Sequence, residues 1–227
     1  MPDVRISLDK AIRQTRTGDV WLFRGRSLAD RTIQVTTNSP VNHVGMALCI
    51  EDLPPLMWHA EMGRSQVDLW SGTRQRGAQL HVLADAVRTW TLRYGQRAWF
   101  RQLDHPIDRE IENAALRTIA RLDGTPFPTS TQLAKGWLLG KAPTLPGRLG
   151  ERELETAYCS EIVALTYEAM GLLPPGRRPS WYDPGRFWSG DNLPLLDGAR
   201  LGQEVAVDVP DMPTPRAGAA TGAAVAG

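Results

Sequence analysis

Cys159, His43 and Glu61 are residues whose types and places in this 227-residue chain could combine into a nucleophile, a base and a carboxylate that orients the base. After Tyr158-Cys159-Ser160-Glu161, the residues Ile162, Leu165, Thr166, Ala169 and Met170 share one helical face and Gly171 provides a stop. The spacing therefore predicts a helix with Cys159 at its N-terminus, where the dipole and unpaired N–H groups favour thiolate and can hold a developing oxyanion. A thiolate nucleophile needs an imidazole beside it, and the imidazole needs a polar group to fix its tautomer. His43 begins an apolar run over 44–50, a second run covers 56–61, and Leu53-Pro54-Pro55 stands between them. Paired as an antiparallel hairpin, the start of the first run lies beside the end of the second, which puts Glu61 near His43. His59 shares a strand face with Glu61 and is the alternative base, or a second polar contact.

The other candidates divide between site and scaffold. Cys49 sits inside an apolar run and reads as core packing. Two cysteines 110 positions apart do not make a disulfide framework, and neither they nor the four histidines have the spacing of a zinc site, so no metal is expected. His81 and His105 have no supporting context. Asp19 either serves the turn after Gly18 or lines a cleft near His43, and Tyr158 either helps to bind substrate or packs. Glu161 reads as a first-turn acid, and the aromatics over 181–188 as packing or a cleft wall.

Residues 7–16 read as a short helix capped by Ser7, and 20–23 as a buried strand. A second short helix is expected after Ser27, ended by Ser39-Pro40. Strands are expected over 79–83 and 98–103 with a helix over 84–94 between them, and Asp108 caps a helix whose Ile111, Ala115, Ile119 and Leu122 recur at helical spacing. Residues 131–139 read as helical, 140–150 as a loop, and the tail over 211–227, made mostly of Ala, Gly, Thr and Pro, as disordered. Residues 1–210 then form a single catalytic domain. Twenty-six Lys plus Arg against 25 Asp plus Glu give a formal charge of +1, which offers no field for nucleic acid. No signal peptide and no apolar run of about 18 residues is present, so the chain is expected to be cytoplasmic with no stable membrane insertion.

The segments Gly18-Asp19-Val20, Asn42-His43-Val44-Gly45-Met46, Ala60-Glu61 and Tyr158-Cys159-Ser160-Glu161-Ile162-Val163 resemble the YaeF/YiiX-like circularly permuted papain-fold amidases of the NlpC-type superfamily. The resemblance runs from about Gly18 to Phe187, in the order His43, Glu61, Cys159. It implies an α+β fold in which a small antiparallel sheet or half-barrel packs against the helix that carries the nucleophilic cysteine. It also implies an acyl-enzyme on Cys159, formed from an amide or ester carbonyl and needing no cofactor. The expected activity is a cysteine amidase or peptidase acting on a small peptide, an amino-acid amide or a cell-wall-derived fragment. Two alternatives stay open: the same machinery acting on a lipid acyl ester or thioester as a thioesterase, phospholipase or acyltransferase, and a binding module without turnover.

Overall fold

The computed structural model describes residues 4–25, 40–61, 63–124, 151–178, 181–191 and 193–210, with the side chains of 151–157 and 191 left aside. The helix expected after Ser27, the helix over 131–139, the loop over 140–150 and the tail from 211 lie outside the described residues.

Strand β1 (Arg5–Ser7) leads straight into helix α1 (Leu8–Gln14), where Ser7 accepts the Lys10 N–H at 3.3 Å as expected of its cap. Then come β2 (Val20–Arg24), β3 (His43–Leu48), β4 (Leu56–Glu61) and β5 (Gly77–Val82). The helix expected over 84–94 is α2 (Leu83–Arg88) continued by a π-helical turn, Thr89–Arg93. It is followed by β6 (Arg97–Arg101), β7 (Leu103–Asp104) and α3 (Arg109–Leu122), the last capped by Asp108, which accepts the Ile111 N–H. Helix α4 (Glu151–Ala169), two short 3-10 turns, β8 (Arg200–Leu201) and β9 (Val205–Asp208) complete the order.

Seven strands form one sheet in the order β1-β9-β6-β2-β3-β4-β5, and β7 pairs with β8 apart from it. The α+β class is as expected. The sheet is wider than the small antiparallel one that the family resemblance implies, because the terminal strands β1 and β9 pair in parallel and extend it past β6. The hairpin about Leu53-Pro54-Pro55 is present: β3 and β4 pair antiparallel, with Met46 opposite Trp58 and Leu48 opposite Leu56.

Helices cover both faces, and strand alternation sorts the side chains between them. Val44, Met46 and Leu48 of β3 and Leu56, Trp58 and Ala60 of β4 pack with Ala115 and Ile119 of α3 and with Ile162, Val163 and Tyr167 of α4. Ala47 and Met57 join Trp21, Phe23, Leu83, Val87 and Trp90 on the other face, beneath α1 and α2. Trp58 ties α4 to the sheet: its buried indole N–H donates to Thr166 Oγ1 at 3.1 Å, and that hydroxyl bonds the Ile162 carbonyl at 2.7 Å. Trp58→Phe keeps most of the apolar area and removes one buried hydrogen bond. It should lower the unfolding free energy by about 1–3 kcal/mol in urea titration, with an unchanged m-value.

Candidate functional site

On β3, β4 and β5 the polar side chains fall on the face under α2. His43 stacks on Trp90 with ring centroids 3.7 Å apart and planes 10° apart, and meets His59 edge-on. Its Nε2 lies 3.1 Å from Nδ1 of His59, and Nε2 of His59 lies 2.8 Å from Nδ1 of His81. Three buried imidazoles thus form a hydrogen-bonded row across three adjacent strands. Gly45 makes the row possible, because a Cβ there would lie 2.9 Å from Met57 Cγ and 3.2 Å from His59 Cβ.

Glu61 closes the end of the row near His81. Its Oε1 accepts from Tyr94 Oη at 2.6 Å and from Ser65 Oγ at 2.7 Å. Gly63 passes close over it, where a Cβ would come within 2.5 Å of the same oxygen. Gln79, opposite His59 in the β4–β5 ladder, turns its amide back to the Glu61 and Gly77 carbonyls. Four buried polar atoms that β3, β4 and β5 carry on this face have no hydrogen-bond partner among the described residues: His43 Nδ1, Glu61 Oε2, Gln79 Oε1 and His81 Nε2.

Burial keeps all three imidazoles neutral. His43 is held well below the ordinary 6.5, first by desolvation and then by His59. Desolvation likewise pulls His59 and His81 down to about 3, against the opposing charge of Asp68. Asp68 is itself buried, with its carboxylate taken by the N–H groups of Leu80 and Ser71 at 2.7 Å each.

The expected site residues are therefore only partly brought together. His43 and Glu61 share a face, but Glu61 does not bond His43; His59, the alternative in the sequence, does. The diagonal neighbour wins because Gly45 leaves room for the His59 ring, while Tyr94 and Ser65 hold the near oxygen of Glu61. Cys159 is in the other layer, fully buried among the apolar residues that include Val44, Met46 and Leu48. His43 alternates with those residues on β3 and packs against Phe23 and Trp90, so Cys159 and His43 lie on opposite faces of the sheet.

Nor does Cys159 start its helix. The run over 151–157, rich in Glu, Arg, Leu and Ala, carries α4 back to Glu151 and puts Cys159 in its third turn, beyond the unpaired N–H groups of the first. Asp19 is fully buried and gives both oxygens to the backbone, accepting from Arg16 N and Leu103 N at 2.8 Å each, so it holds a turn rather than lining a cleft. Tyr158 is partly buried against the core. Cys49 is half-buried with its thiol pushed up to about 11 by burial and nearby carboxylates, and its Sγ lies 3.4 Å from the Thr15 carbonyl.

Comparison with known proteins gives a distant likeness. Metalloprotein yiiX from Escherichia coli O157:H7, a DUF1105 protein of known crystal structure, superposes with a TM-score of 0.43 at 19% identity, over 85% of this chain and 89% of that one. No family model and no curated protein matches the chain.

Sequence reasoning missed three members of the cluster: His81, Tyr94 and Ser65. A signal for His81 was present, since it alternates within the apolar run over 78–83, as His59 does within its own. Because the unfolded chain protonates these histidines near 6.5 and the folded one resists, their contribution to stability is complete above that value and is lost as pH falls towards about 3. Asp19, held up to about 6 by burial, works the other way, so the informative comparison is with a variant. Between pH 6 and 4 the wild type should lose stability more steeply than His81→Gln, by up to about 1.4 kcal/mol per pH unit. Equal slopes in urea titrations would contradict a neutral, buried His81.

Proposed function

We propose that this chain is a hydrolase cleaving an amide or ester bond in a small substrate, with His43 as base and His59 as the group that orients it. The observation that carries this reading is the asymmetry of His43: Nε2 is tied to His59, and Nδ1 is buried with no hydrogen-bond partner among the described residues. A base needs one nitrogen held and the other open to the proton it takes.

One proton per neutral imidazole leaves two directions for the row. In the direction that makes Nδ1 of His43 a lone pair, His43 Nε2–H donates to His59 and His59 Nε2–H donates to His81. A proton taken at Nδ1 then places positive charge on a row that ends beside Glu61 and Asp68, whose carboxylates both favour a charged His81. The rings themselves are covered, and Tyr94, which is 37% exposed, and half-buried Ser65 are the cluster members that reach the surface.

The attacking group is a water molecule in this arrangement. A Cys159 acyl-enzyme is the second reading, favoured by the sequence around Tyr158-Cys159-Ser160-Glu161 and by the chain order, and it requires the thiol to leave the layer under α4. A substrate with an apolar acyl chain is favoured by Val67, Leu69 and Trp70, which stand 44%, 48% and 52% exposed on the loop after Glu61.

Chromogenic acetyl and octanoyl esters and amino-acid anilides test the reading. His43→Ala should lower kcat/KM by about 100-fold or more, and His59→Ala should shift the pH profile as well as the rate. Hydrolysis unaffected by His43→Ala overturns the proposal. Cys159→Ala separates the nucleophiles, being silent for water and inactivating for the thiol, and iodoacetamide should label Cys159 faster than Cys49 only in the second case.

A further inference from the structure

The row of imidazoles and the Glu61 carboxylate also have the makings of a metal centre. One ligand atom from each of His59, Glu61 and His81 lies within 4.8 Å of the other two, and the three residues are 0%, 1% and 1% exposed. They come from two paired strands: His59 and Glu61 are two apart on β4, and His81 is on β5 in the same face of the ladder. Opposite Glu61 stands Gly77, so no side chain from β5 fills the space across from the carboxylate.

We propose that His59 Nε2, His81 Nδ1 and Glu61 Oε2 bind one divalent transition-metal ion of the zinc class. Two imidazoles and one carboxylate are a donor set suited to zinc and its neighbours, and three protein ligands leave a fourth position for water or substrate. Zinc–ligand bonds of about 2.0–2.2 Å place tetrahedral ligand atoms roughly 3.4 Å apart, so the hydrogen-bonded pair of nitrogens must part by well under an ångström.

The surroundings are already arranged for such an ion. Glu61 has one oxygen held by two hydroxyl donors, Tyr94 and Ser65, and the other with no hydrogen-bond partner among the described residues. A buried carboxylate oxygen with no donor is costly unless something positive sits on it. His59 has its remaining nitrogen engaged by His43, the outer hydrogen bond that fixes the tautomer of a ligating histidine. Asp68, buried nearby, adds negative charge that reaches both imidazoles.

Binding would also reverse the proton direction of the row. With Nε2 of His59 on the ion, its Nδ1 carries the proton and donates to His43 Nε2, which leaves Nδ1 of His43 protonated and takes it out of service as a base. Occupancy by zinc is thus an alternative to His43-dependent hydrolysis, and binding is measurable without turnover, so either proposal can fail alone.

The test is calorimetric titration of the chelator-treated full-length chain with zinc, together with the visible spectrum after cobalt substitution. Wild type should bind one ion per chain and give the intense d–d bands of four-coordinate cobalt with no sulfur-to-metal band. Tyr94→Phe, which removes only a hydroxyl, should weaken binding by about 10- to 100-fold, and Glu61→Gln and His81→Ala by more. Cys49→Ala and Cys159→Ala should bind as wild type does. Circular dichroism and unfolding of each metal-free variant separate lost ligation from lost fold. Absence of saturable binding by folded wild type, a sulfur-to-metal band, or full affinity in folded Glu61→Gln and Tyr94→Phe overturns the proposal.

Discussion

A sheet covered by helices on both faces gives a polar side chain no water to fall back on, so every imidazole and carboxylate that β3, β4 and β5 point inward must find its partners within the layer. Desolvating a hydroxyl or an amide without a partner costs about 1–3 kcal/mol in proteins, and a charge costs far more. The chain answers with neutral histidines that serve each other as donor and acceptor, and with a carboxylate capped by two hydroxyls. The rest follows from that need. Gly45 must lack a side chain, Trp90 must lie flat on His43, and the helix after Leu83 must widen into a π turn that brings Trp90 over the ring and Tyr94 to Glu61. Such local widening of a helix is frequent at working sites.

Strand alternation then decides which residues can collaborate. His43, His59, His81 and Glu61 share a face because they fall on like positions of adjacent strands, and Cys159 belongs to the opposite layer because α4 packs on the alternate positions. The satisfied groups account for stability, and the proposed chemistry draws on the unsatisfied ones. An open nitrogen on His43 suits a proton acceptor, and an open oxygen on Glu61 suits a cation. The two uses draw on opposite proton directions in one row, which makes the cluster a candidate for switching between them.

Much of this was legible in the residue order. Two apolar runs about a Leu-Pro-Pro turn specify the β3–β4 hairpin, and with it the nearness of His43 and Glu61; Ser7 and Asp108 announce their helices by side chains that can cap them. What stayed hidden depends on distances the sequence does not carry. The choice between His59 and Glu61 as partner of His43 turns on the space left by Gly45. The place of His81 turns on β5 pairing with β4 although β4 ends at Glu61 and β5 starts only at Gly77, and the place of Tyr94 on a π turn that shifts it round the helix. Helix α4 starts upstream of the point that the apolar stripe predicts, because good helix formers before Cys159 lengthen it.

The fold holds His43, His59 and His81 as neutral imidazoles bonded in series. Long-range proton–nitrogen correlation spectra of the histidine side chains in the metal-free chain, near pH 7, test it directly. Each of the three should show one protonated and one bare nitrogen, with the ring protons of the inner bonds protected from exchange with water. A doubly protonated ring on any of the three, or free exchange at the His43–His59 and His59–His81 bonds, would contradict it.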